Sequence, residues 1–297
     1  MPTPNYVIIG VHGLSPKPPK KEHSEAWALA ICEGLRRNFN LTVAPERLGL
    51  ELVYWADWLG RPEIEPNKDK EPYLPAEGEG PLPSYRQRWF DDDLRDALGN
   101  VAKPVDWAKS APPTDWIRQH TGLDDVGVLL LQKRLVDLGT YYADSGKRAA
   151  LRKLLADALL RNEGKRIMLV AHSMGSIVAY DVLRDFGRER PTMAVDHLVT
   201  LGSPLGMPYV IDRIRQENAA VRTPSVVQRW TNLADRKDPV AIDVHLGDEY
   251  EPSDRLVAVA DALVLNTYRS PDGKRNHHKI YGYLRTPEFS QLVSNFI

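Results

Sequence analysis

Cysteine is almost missing from this chain of 297 residues: Cys32 stands alone, so no intrachain disulfide can form. It falls in a helical pattern, where a small buried hydrophobe is the ordinary role, and its isolation fits a cytoplasmic protein. An excess of one charge is missing too. Lys and Arg number 39 against 40 Asp and Glu, a net charge of -1, which excludes an overall basic footprint for nucleic acid or anionic lipid. No apolar run approaches the length of a transmembrane helix. The first strand pattern, Tyr6 to Val11, comes without the basic leader, apolar stretch and cleavage site of a signal peptide. What is present, 42% hydrophobic residues, suffices for one large α/β domain, expected over residues 1–297.

The most informative stretch is Ile167 to Ile177, IMLVAHSMGSI. Ile167-Met168-Leu169-Val170 reads as a strand buried on both faces, and Ile177, Val178, Tyr180, Val182 and Leu183 follow at helical spacing. A serine squeezed into the turn between them needs small neighbours two residues away on each side. Ala171 and Gly175 supply them. The pentapeptide Ala171-His172-Ser173-Met174-Gly175 resembles the nucleophile elbow of the α/β-hydrolase superfamily, with alanine in place of the first glycine.

That resemblance implies a mostly parallel central sheet flanked by helices and extends to three other places. The first is His12-Gly13-Leu14, directly after the Tyr6–Val11 strand. In the superfamily such a pair carries an oxyanion donor on the following residue, so Leu14 N–H and Met174 N–H are the implied oxyanion hole. The second is the loop after a strand expected over Val226 to Asn232, where an acid that orients a catalytic histidine belongs. Asp235 and Asp238 both qualify; Asp238 is preferred because Asp-Pro-Val resembles the segment that holds this acid in many α/β hydrolases. The third is His277-His278, ahead of a terminal helix that Thr286 and Pro287 open. Neighbours in an extended loop point opposite ways, so one imidazole alone can reach Ser173. His278, nearer the helix, is preferred to His277.

The order Ser173, Asp238, His278 matches the superfamily. It implies hydrolysis of a carboxylic ester in a small molecule or lipid by a covalent mechanism that needs neither metal nor organic cofactor. A thioesterase or amidase with the same triad is the alternative within this chemistry. A binding or scaffold protein that keeps the hydrolase fold without catalysis is the alternative outside it, and nothing in the sequence speaks to oligomeric state.

The other segments are read as framework. Ser15 to Lys21 is a loop, Ser24 is the expected cap of a helix to about Asn38, and Leu50 to Trp55 is a second strand. Residues 61–122 form a Pro-rich and helical insertion, expected to be a cap or lid. Within it, Ser84-Tyr85-Arg86-Gln87 opens a helix, and Asp91-Asp92-Asp93 form a solvated face because successive helical residues diverge too far to share a metal. Helices are expected from about Asp124 to Tyr142 and from Ser145 to Arg161, then a strand over Asp196 to Gly202 ending in a turn that includes Ser203. An apolar stretch lies between Leu256 and Asn266.

Overall fold

Six short runs of apolar and branched residues pair side by side in a computed structural model that describes residues 5–56, 63–85, 136 and 138–297. They are β1 (Tyr6–Val11), β2 (Leu50–Val53), β3 (Arg166–His172), β4 (His197–Leu201), β5 (Trp230–Ala234) and β6 (Val259–Leu263). All pairings are parallel, in the order β2-β1-β3-β4-β5-β6. Parallel strands need helical crossovers, which cover both faces and explain the nearly unbroken burial of β1, β3 and β4.

Period-two alternation sorts the strand side chains. Val7, Ile9, Val11, Ile167 and Leu169 face a core with α2 (Ser145–Arg161), α3 (Met174–Glu189) and α4 (Pro208–Asn218). Ile8, Met168 and Val170 face the opposite core with α1 (Lys20–Phe39), the short α5 (Ile280–Leu284) and α6 (Pro287–Phe296). From β1 the chain goes first to one neighbour, β2, and later to the other, β3. The carboxyl ends of β1 and β3 therefore flank the point where the winding reverses, the natural crevice of an open α/β sheet.

Several boundaries differ from expectation, each for a tertiary reason. Helix α1 starts four residues before Ser24, with Pro19 at its cap position, and its early turn buries His23 beside Trp27 and Tyr281. Strand β2 stops at Val53 because the Trp55 N–H leaves the ladder for His12 Nε2, 3.0 Å away. The strand expected over Val226 to Asn232 begins at Trp230, since Val227 makes an isolated bridge to Val195. Helix α4 has no counterpart in the expectation; Pro208 at its first position is its one local signal. The helices at Ser145 and Pro287 start where expected, capped by the Asp144 and Thr286 side chains.

The expected insertion is described over residues 63–85. That part is a strap with no element longer than the 3₁₀ turn Pro66–Lys68, lying across α1 and the carboxyl-terminal segment. Buried Glu33 accepts from Tyr73 Oη and Ala76 N–H, and Arg37 donates to the Ala76 and Gly80 carbonyls. Arg285 approaches Glu33 at 3.4 Å and donates to Leu74 O, while Tyr85 N–H reaches Glu288. The remainder of the insertion, with its capping box beyond Tyr85, its Asp triplet and any lid, lies outside the described residues, as does the helix from Asp124 except its end at residues 138–143. Among the described residues no helix is long and apolar enough to cross a membrane.

Candidate active site

Ser173 occupies the corner between β3 and α3 with φ 56° and ψ −132°, a region that non-glycine residues enter only under compulsion. The compulsion is visible around it. Its N–H donates to Leu201 O at 3.0 Å, and its carbonyl accepts from Ser176 N–H and from the Ser176 hydroxyl at 2.6 Å. A Cβ on Gly175 would stand 2.6 Å from Val11 O and 2.8 Å from His12 O, so only glycine lets α3 approach β1 this closely. Ala171, in contrast, sits fully buried in the ladder between Val11 and Thr200, and its methyl is accommodated there.

Of the four residues proposed as acid or base, the structure sorts two onto Ser173 and two onto each other. His278 Nε2 lies 2.9 Å from Ser173 Oγ, while its Nδ1 faces both Asp238 oxygens at 2.9 and 2.8 Å. His277 turns away and meets Asp235 Oδ2 at 3.1 Å. Asp238 is buried, and its negative charge is met by Val240 N–H on Oδ1 at 2.8 Å and by the Tyr283 hydroxyl on Oδ2 at 2.7 Å. The carboxylate holds the Nδ1–H tautomer of His278, which leaves Nε2 as an acceptor towards the serine.

Polar side chains that no local motif marks hold this arrangement. Asn266 donates to the His277 and Lys279 carbonyls at 2.8 Å each, and its own N–H goes to Asp235. A Cβ on Gly282 would overlap Asn266, so helix α5 can pass this brace only with glycine there. Asn276 accepts the His278 N–H and donates to Glu71 of the strap at 2.7 Å. His172 bonds the His278 carbonyl at 2.9 Å and packs tilted against its ring. Ser203 accepts from Leu205 N–H and bonds Ser176 at 2.7 Å, as a turn residue. Sequence spacing carries no signal for Asn266, Asn276 or Tyr283, because each acts across the fold.

The His12-Gly13-Leu14 turn presses against Ser173: a Cβ on Gly13 would lie 2.6 Å from Ser173 Cβ. Its shape is set by His12, which donates from Nδ1 to Gly13 O at 2.9 Å, accepts Trp55 N–H on Nε2, and stacks on the Trp55 ring. Burial, reinforced by the positive charge of Lys17, pushes the His12 pKa down to about 3, so the ring is neutral and serves the backbone. Leu14 and Met174 border one small cleft with Leu138, Ile177, Met207 and Val240, and Ser173 lies in its wall beside Pro204. None of these side chains carries charge. Among the described residues no group of three or more His, Cys, Asp or Glu is placed to hold a metal ion.

No family model and no curated protein matches the chain. The geometry carries the functional argument by itself.

Proposed function

We propose that the chain is a serine hydrolase that cleaves a carboxylic ester through an acyl-enzyme intermediate on an α/β-hydrolase fold. One observation carries this: Ser173 Oγ is 2.9 Å from an imidazole whose other nitrogen meets a buried carboxylate. Ser173 Oγ attacks the ester carbonyl as its proton passes to His278 Nε2. Asp238 stabilises the resulting imidazolium, and the proton then leaves with the alcohol. Water, deprotonated by the same nitrogen, attacks the acyl-serine carbonyl and restores the serine as the acid departs. Leu14 and Met174 N–H are the proposed donors to the oxyanion, a role supported by the contact of the 12–14 turn with the elbow.

The uncharged lining of the cleft favours a neutral acyl or alcohol group over a charged one. Esters come first because an alkoxide leaves more readily than an amide nitrogen and asks less of the proton donor. A cytoplasmic site of action completes the proposal, consistent with a lone, half-buried Cys32.

The direct test is labelling by a fluorophosphonate, together with turnover of p-nitrophenyl acetate. A serine activated as described reacts stoichiometrically at position 173. Failure of the wild-type protein to label, or undiminished hydrolysis by Ser173→Ala, would refute the proposal and favour a scaffold that merely keeps the fold.

A further inference from the structure

Two carboxylate–imidazole pairs lie side by side here, and one phenol joins them. Asp238 and His278 form the first, Asp235 and His277 the second. The acids share a tight turn, in which Asp238 N–H donates to Asp235 O at 2.9 Å, and the histidines are chain neighbours. Tyr283, projecting from α5, accepts Asp235 N–H at 3.0 Å and donates to Asp238 Oδ2 at 2.7 Å. Its ring is fully buried, and a Cβ on Gly202 would press on both Asp238 Oδ2 and the phenol. Burial and the adjacent Asp238 charge push the Tyr283 pKa well above its ordinary value, so the hydroxyl remains a donor throughout the working range of pH.

We infer that Tyr283 is a positioning residue of the triad: its hydroxyl fixes the Asp238 carboxylate and, by sharing its charge, sets how strongly that carboxylate favours the protonated form of His278. The inference rests on the hydrolase proposal above. Asp238 Oδ1 is already anchored by Val240 N–H, so the Tyr283 bond to Oδ2 is the second point that stops the carboxylate rotating about its Cβ–Cγ bond. A donor to a carboxylate spreads its charge, and a carboxylate with less charge attracts the proton on its partner imidazole less. Other groups face the same ring: Ser173 from the elbow, His172 packed at a tilt from the end of β3, and, one residue away, His277 with Asp235. Tyr283→Phe removes a single oxygen and leaves the side-chain contacts of these groups in place, while the Asp235 N–H loses its acceptor.

The test compares the wild-type protein with Tyr283→Phe and with 3-fluorotyrosine installed at position 283, after fluorophosphonate labelling has established an activated Ser173. In the phenylalanine variant the acid limb of the kcat/KM profile moves up by about 0.5 to 1 pH unit, and kcat on the plateau falls about tenfold. The fluorinated phenol is a stronger donor and keeps the fold, so it moves the same limb downward while leaving kcat within about threefold of the wild type. An active wild type whose acid limb is the same in all three proteins would overturn the inference, as would a fluorinated variant that shifts it upward. If wild-type protein does not label, the hydrolase proposal itself fails. The downfield proton resonance of His278 Nδ1 then still tests the contact, because losing the Tyr283 donor must move it, and an unmoved resonance would overturn the positioning role.

Discussion

Replacing Asp238 by asparagine is the most incisive perturbation, because its outcome follows from where each proton must go. In the wild-type arrangement Oδ1 accepts Val240 N–H at 2.8 Å, Oδ2 accepts the Tyr283 hydroxyl at 2.7 Å, and both face His278 Nδ1. An asparagine amide cannot take the Oδ1 place, since its NH₂ would confront a backbone N–H. It must place NH₂ at the Oδ2 position, where the phenol oxygen can rotate to accept one of its hydrogens. The other hydrogen then points at His278 Nδ1, which becomes an acceptor and forces the proton onto Nε2. That proton faces Ser173 Oγ, so the base is occupied before the reaction starts. The expected loss is about 10⁴-fold in kcat for p-nitrophenyl acetate, with thermal stability changed by no more than about 2 kcal/mol because the volume is conserved. Fluorophosphonate labelling of the variant slows in parallel. Asp235→Asn, which touches His277 and not the nucleophile's partner, retains activity within about tenfold. If the Asp238 variant kept turnover within tenfold of wild type, or the Asp235 variant suffered the greater loss, the assignment of acid and base would be wrong.

Ser173→Ala is expected to lower turnover on the order of 10⁶-fold, measured with a chromogenic ester, while Ser173→Gly is equally inactive but more stable by about 1 to 2 kcal/mol in urea unfolding, since glycine relieves the positive φ. Gly175→Ala should cost about 2 to 3 kcal/mol, read as a lowered Tm, because the new methyl meets backbone oxygens of β1 and its following turn that have no room to yield. Acid should loosen the fold through its buried neutral histidines. His12 and His197, pushed down by burial to about 3 and about 4, protonate in the unfolded chain below about pH 6.5 but not yet in the folded one. Their contribution is complete above pH 6.5 and is lost as pH falls, through about 4 for His197 and about 3 for His12, whereas Glu249, pushed up by burial to about 7, loses its contribution as pH rises from about 4.5 to 7. Chemical denaturation at pH 7 and pH 5 with His12→Gln should show a flatter acid side than wild type, and an unchanged slope would contradict the neutral ring described for His12.

The parts of this molecule that could be read in advance are those whose physics is local. Strands β1 and β3 announce themselves as branched apolar runs, and the elbow as a serine between two small residues, because both depend on a few neighbouring side chains. The Ser-Asp-His order is equally local, each member being a turn residue after a strand. Which histidine of the adjacent pair reaches Ser173 is decided by Asn276 turning the His278 N–H and by Asn266 holding the carbonyls on either side, so it depends on contacts that no spacing records. Helix α1 was displaced for a similar reason: Lys20 and Lys21 look like loop until the burial of His23 is known. The late start of β5 reflects Val226 and Val227, apolar enough for a strand yet used in a bridge and a turn.

The strap over α1 gives the segment around His278 an anchor outside the sheet. Glu71 grips Asn276 and approaches Lys279, and Tyr268 donates to the neighbouring Pro72 carbonyl, so the segment carrying the imidazole is moored to residues some two hundred positions earlier. Among the described residues, neither Ser173 nor Asp238 has such a tether to the strap. If the proposed hydrolysis holds, changes along residues 63–85 that slacken this mooring would detune proton transfer to His278 while sparing the scaffold of Ser173, giving natural variation a remote throttle on turnover.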